Sequence, residues 1–138
     1  MTTDKNFVAI NYIDCTTEYV DRFEELFATR AGAIDKLQGF QHMHVLKPKE
    51  PGGSYLVVSY WESEENFKAW TTSPAFLEGH KRAFADMAKA REEGKTPPMK
   101  SSFKVYDIIS RWKAEGKGQG AGRRETVMRQ LLLGLNKE

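Results

Sequence analysis

Residues 6–13, NFVAINYI, place Phe7, Ala9, Asn11 and Ile13 on one face and Val8, Ile10 and Tyr12 on the other, which predicts a strand. Tyr19, Val20, Phe23, Leu26 and Phe27 then recur at spacings of three and four, predicting an amphipathic helix capped by Thr16 or Thr17 and running to about Arg30, with Gly32 beyond it. Alternation resumes from Phe40 to Leu46, and the run Tyr55 to Trp61 is the most apolar strand, expected at the sheet centre and covered on both faces. Pro48, Pro51, Gly52 and Gly53 between them predict a hairpin connection. Ser63 followed by Glu64 and Glu65 predicts a short helix, its acidic residues in the first turn, where the helix dipole favours them. Ser73-Pro74 reads as an N-cap with proline at the first helical position, opening a longer helix to about Glu93 that Gly94 closes. After the breaker Thr96-Pro97-Pro98, residues 103–109 predict a fourth strand.

Strand, helix, strand, strand, helix, strand is the α+β ferredoxin-like βαββαβ order: a four-stranded antiparallel sheet with helices on one face. The other face is left bare, and its apolar content predicts that a second subunit covers it, giving a homodimer built as a dimeric α/β barrel. The domain is expected over residues 1–112. Gly116, Gly118, Gly120 and Gly122 mark residues 113–122 as a glycine-rich linker. Val127, Met128, Leu131, Leu132 and Leu135 among Arg123, Arg124 and Arg129 predict an amphipathic C-terminal helix over 123–138. Docking on its own domain or a partner subunit is favoured over a membrane or foreign-protein contact, because the helix is short.

Composition narrows this little. With 138 residues, 40% hydrophobic, 29% charged and a net charge of +2, the chain reads as one soluble domain with no electrostatic case for nucleic acid. Cys15 is the only cysteine, so no internal disulfide can form. With no membrane-length apolar run and no signal-like N-terminus, a cytoplasmic location is expected. No phosphate loop, nucleophile elbow, HExxH or CxxC occurs, which removes the common nucleotide, hydrolase and zinc readings. The pairs Glu24-Glu25, Glu64-Glu65 and Glu92-Glu93 diverge around their helices and read as solvated surface. His42 and His44 share one strand face but lack neighbours to complete a metal set, so a solvent- or subunit-facing pair is the reading preferred.

His80 is the exception. It lies four residues from both Phe76 and Phe84, inside a stripe with Leu77, Met87 and Ala88, and is expected on the buried face of its helix. A core histidine with one satisfied nitrogen explains such a position. So does an axial ligand to a flat apolar cofactor such as haem, since burial favours the neutral, coordinating imidazole. Asn11 poses a similar choice between an exposed strand position and an amide aimed into a pocket.

The stretch GFQHMHVL followed by SYWESEENFKAWTTSPAFLEGHK resembles the IsdG-type haem-degrading monooxygenases of the antibiotic biosynthesis monooxygenase (ABM) superfamily. The resemblance covers residues 6–109, and its most specific part is the W-(x)9-H spacing with an aromatic two residues after the proline. It implies a site of Asn11, Trp70 and His80: His80 the proximal ligand to haem iron, Asn11 a distal hydrogen-bond donor, and Trp70 a wall pressing the porphyrin out of plane. Phe23, Phe67, Phe76 and Phe84 are the expected pocket lining. Haem would be both substrate and cofactor, opened by O2 to a bilin-type product with release of iron. Electrons would come from an external electron donor, a reductase or small reductant, because no flavin or nicotinamide fingerprint is present. Two alternatives stay open: a non-catalytic haem-binding or delivery protein, and a cofactor-free ABM monooxygenase acting on a phenolic or quinol substrate. Residues 113–138 have no counterpart in the short members of that family.

Overall fold

Residues 7–29 and 33–115 are described in a computed structural model of the chain. The strands are β1 (Phe7–Cys15), β2 (Phe40–Leu46), β3 (Tyr55–Trp61) and β4 (Met99–Asp107); the α-helices are α1 (Val20–Ala28), α2 (Glu64–Thr71) and α3 (Pro74–Glu92). They form one four-stranded sheet, ordered β2-β3-β1-β4, with every neighbouring pair antiparallel. This is the expected ferredoxin-like arrangement, with α2 and α3 together filling the place of the second helix. Of the predicted 113–122 linker only residues 113–115 are described, without regular structure, and the predicted C-terminal helix over 123–138 lies outside the described residues, as do Gly32 and Arg30.

Local sequence explains most boundaries. Ser63 and Ser73 cap α2 and α3 as expected, their hydroxyls accepting from the backbone N–H of Asn66 and Phe76, and Pro74 occupies the first turn of α3. Gly94, at φ 69°, follows the end of α3, where Lys95 N–H returns to the Ala90 carbonyl. Gly39, at φ 83°, leads into β2, and a Cβ there would run into the side chain of Asn66.

Two boundaries moved. Thr16 caps only a 3-10 turn, Thr17–Tyr19, without a side-chain bond, and α1 runs from Val20 to Ala28. The Thr16 N–H is instead held by the Pro98 carbonyl at 2.9 Å, which ties the chain before α1 to the chain before β4. The fourth strand begins at Met99 and ends at Asp107 rather than spanning 103–109. Its length is set by pairing with all of β1, from Cys15–Met99 to Phe7–Asp107, not by its own apolar run.

The helices cover one face of the sheet, and the core beneath them falls into two clusters. One gathers Phe7, Ala9, Ile34, Trp61 and Phe67, the other Ile13, Tyr19, Phe23, Leu26 and Tyr55. Trp61, with no exposed surface, anchors the first; its indole N–H donates to Ser59 at 2.9 Å. Asn11 occupies the helix-side position of β1 between Ala9 of one cluster and Ile13 of the other, so the core divides at that residue. On the opposite face Val8 and Val58 are buried, Ile10, Tyr12, Leu56 and Tyr60 half-buried, and Leu46 and Tyr106 exposed.

Candidate haem-type site on the aromatic face of α3

The first three turns of α3 present Phe76, His80 and Phe84 one above the other. The His80 ring stacks on Phe76 at 4.1 Å between centroids, and Phe84 continues the ladder at 5.5 Å. Trp70, at the end of α2, closes one side, 4.9 Å from Phe76 and 5.8 Å from His80. Behind Trp70 stand the core rings of Trp61 at 5.7 Å and Phe67 at 6.1 Å, so this wall is backed by the first cluster.

The sequence reading needs correcting on α3. Phe76, His80 and Phe84 are not its core face: His80 is half-buried, and Phe84 and Leu77 are 48% and 62% exposed. Ala83, Met87 and Ala90 do the packing instead, Ala83 and Met87 against the second cluster. The larger rings lie around the helix on the side of Trp70. An aromatic ladder half in solvent beside a packed core is the kind of surface that ligand sites use.

His80 is oriented. Its Nδ1 lies 2.7 Å from the Phe76 carbonyl one turn back; a carbonyl only accepts, so Nδ1 carries the proton. In the neutral ring that leaves the lone pair on Nε2, which makes no hydrogen bond among the described residues. A ring N–H held by a backbone carbonyl is the support that metal-bound imidazoles commonly have.

The side-chain amide of Asn11, whose backbone is paired in the sheet, also has no hydrogen-bond partner among the described residues. In register beside it are Val57 on β3 and Phe103 on β4. Phe103 is 62% exposed and approaches Phe67, the neighbour of Trp70, at 6.1 Å. The Trp70 indole Nε1 is buried with no partner among the described residues, a donor that a folded chain seldom leaves unused. A free imidazole nitrogen beside a half-exposed aromatic ladder fits a flat apolar ligand with a coordinating centre, as haem is.

The remaining predicted residues sort differently. Phe67 is buried in the first cluster and reaches the site only through Trp70 and Phe103. Phe23, 1% exposed inside the second cluster, is core and not cleft lining. Phe103 and Val105, 62% and 42% exposed on the helix-side face of β4, were missed. The alternation within FKVYD contained the signal, but only pairing with β1 shows which face it serves. His42 and His44 lie on the opposite face of the sheet, where His42 stacks on Tyr60 at 4.1 Å. Burial, then His44 and Arg111, push the His42 pKa down. Among the described residues no group of three His, Cys, Asp or Glu side chains gathers as a metal site. A cavity of about 360 Å³ opens between the β2–β3 hairpin and Cys15, and it contains none of the predicted site residues.

The antibiotic biosynthesis monooxygenase (ABM) model matches residues 6–82, more than half of the chain. The chain belongs to this family. Within it, the chain is 38% identical over 68 residues to a mycobilin-producing haem oxygenase of Mycobacterium tuberculosis. That match spans 49% of this chain and 65% of the relative, just under two-thirds of its length. The fold superposes on MhuD, the haem-degrading protein of the same organism with two haems bound in its active site, with a TM-score of 0.57 and 27% identity over 78% of this chain and 99% of that one. SnoaB, a cofactor-independent oxygenase from Streptomyces nogalater, superposes with a TM-score of 0.57 at 17% identity, covering 79% and 96% of the two chains, which shows the shared ABM fold. The matched family region ends two residues after His80, so it includes Asn11, Trp70 and the whole aromatic ladder except Phe84.

Proposed function

We propose that this ABM-family chain binds haem through His80 and degrades it oxidatively, opening the porphyrin to a bilin-type product with release of iron. The single observation that carries the reading is the Nδ1–H bond to the Phe76 carbonyl, which leaves Nε2 of His80 free at an exposed aromatic ladder. The similarity to haem-degrading relatives supports it. When bound, haem would supply the redox centre at which O2 is reduced, with electrons from an external donor, a reductase or a small reductant.

The chain's own residues bind and orient. Phe76 and Phe84 would offer ring surface to a planar macrocycle, and Trp70, backed by Trp61 and Phe67, would form a rigid wall beside it. Asn11 donates its amide N–H from the sheet side of the cleft, where nothing among the described residues competes for it. The protein works as a homodimer in the cytoplasm, the second copy covering Ile10, Tyr12, Leu56 and Tyr60 on the outer sheet face.

Hemin titration tests this reading. A Soret band is expected at one haem per site, lost in His80→Ala. Under ascorbate and air the band should decay to a bilin-like spectrum, with product mass giving the oxygens gained. A stable band under the same conditions would leave a haem-binding protein and end the enzyme reading. No band at all would favour the cofactor-free alternative.

A further inference from the structure

The aim of His80 depends on how α3 is held, and its apolar attachment is thin. Of its nineteen residues only Ala90, near the C-terminal end, is buried. By contrast α1 is sunk into the second cluster through Phe23 and Leu26. Two polar clamps tie α3 to this fixed neighbour. Arg82 spans the C-terminal end of α1: Nη2 donates to the carbonyls of Leu26 and Thr29, both at 3.1 Å, and Nη1 to the Thr29 hydroxyl at 3.0 Å. These are carbonyls that a helix end leaves without partners, at the pole where a cation is favoured. One turn further on, Asp86 accepts from the Tyr19 hydroxyl at 2.7 Å and from Arg22 Nε at 2.9 Å, at the other end of α1. One clamp therefore stands at each end of α1.

Arg82 and His80 are two residues apart, so they leave α3 about 200° apart, on nearly opposite sides. A roll of about 10° moves a side-chain tip ~1 Å at the outer radius of a helix. An error of that size is enough to spoil a reacting geometry.

Resting on the functional reading above, we propose that Arg82 is a positioning residue for His80: by bridging the C-terminal carbonyls of α1 it sets the roll of α3 and thereby the direction in which Nε2 faces the cleft. Asp86 holds the other end of the same lever. The hydrogen bonds of Arg82 among the described residues run to Leu26 and Thr29, and it acts on His80 through the helix.

The test is a hemin titration of the full chain carrying Arg82→Met, which keeps the stem and removes every donor. Affinity should fall at least about fivefold, and the ferric Soret and visible bands should shift toward weaker or mixed axial ligation. The same substitution is then made in His80→Ala supplied with free imidazole, a ligand not fastened to α3. There Arg82→Met should leave both affinity and bands as they are in His80→Ala with imidazole. An equal loss in the two backgrounds would mean that Arg82 acts on general stability, and would overturn the proposal. Should Arg82→Met fail to fold, Arg82→Gln carries the same expectations, because its short amide cannot span three acceptors. Parental affinity and bands in the Arg82 variant overturn this inference and leave the functional reading standing. A wild-type chain with no Soret band overturns both.

Discussion

Phe23 and Phe84 are alike in the sequence, each a phenylalanine at helical spacing, yet they do opposite work. Phe23 is 1% exposed and packs at 4.7 Å on the Tyr55 ring, whereas Phe84 is 48% exposed at the end of the His80 ladder. Phe23→Ala should cost about 3–5 kcal/mol of stability in denaturant unfolding, with little specific effect on hemin affinity in protein that remains folded. Phe84→Ala should change stability by less than about 1 kcal/mol, since half its surface already meets water, but weaken hemin binding severalfold. Asn11 belongs at the same scale. Asn11→Ala should keep hemin affinity within about twofold and lower the ring-opening rate about 10- to 100-fold, the worth of a hydrogen bond to a group carrying charge. Single-turnover decay of the Soret band measures it; an unchanged rate would remove Asn11 from the chemistry.

Among the elements, α3 combines a well-defined start with a loosely packed body. Ser73→Ala should cost about 1 kcal/mol, read in thermal unfolding, because the Phe76 N–H would lose its acceptor next to the residue whose carbonyl holds His80. The α1–α3 clamp also carries a pH dependence. Partial burial raises the Asp86 pKa, but the hydrogen bonds from Arg22 and Tyr19 and the nearby guanidinium charge outweigh it, and the carboxyl lies below its ordinary 3.8. The native state therefore prefers the ionised form. The stability this contributes is present above 3.8 and is lost as pH falls through the depressed value. Asp86→Asn should flatten the acid limb of the stability–pH curve and lower stability at neutral pH; an unchanged limb would show that Asp86 is not its source. The Tyr55 phenol is pushed up to about 12, by burial first and then by its 2.6 Å bond to Glu24, so it stays protonated across this range.

For the whole molecule, the sheet has one face committed to the helices and one still carrying half-exposed Ile10, Tyr12, Leu56 and Tyr60. Tyr12 and Tyr106 share a hydrogen bond at 3.1 Å on that face, and Lys104 lies 5.9 Å from the Tyr12 ring centroid, giving it a polar edge around an apolar middle. If a second copy covers it, Ile10→Asp places a charge at the centre of the contact. The expected outcome is a monomer in sedimentation equilibrium at micromolar concentration, with the far-UV spectrum retained. A wild-type monomer would remove the dimer from the functional reading without touching the cleft. Among the described residues no helix is long and apolar enough to cross a membrane.

Taken alone, the sequence determined what depends on near neighbours. The caps at Ser63 and Ser73, the turn-forming Gly94, the alternation of β2, the apolar run of β3 and the order of elements are local, and local periodicity and capping chemistry report them directly. The proposed site of Asn11, Trp70 and His80 rests on resemblance, since no spacing rule connects β1 to α3. The tertiary structure decided whatever requires a partner from elsewhere in the chain. The extent of β4 came from β1, and the assignment of Phe23 to the core and Phe103 to the cleft came from which surfaces meet. The α3 stripe misled because periodicity shows that a helix face is apolar without showing whether protein or a ligand covers it. The clamp from Arg82 to Leu26 and Thr29 was invisible for the same reason: two charged or polar helix positions look solvated until the neighbouring helix end is placed beside them.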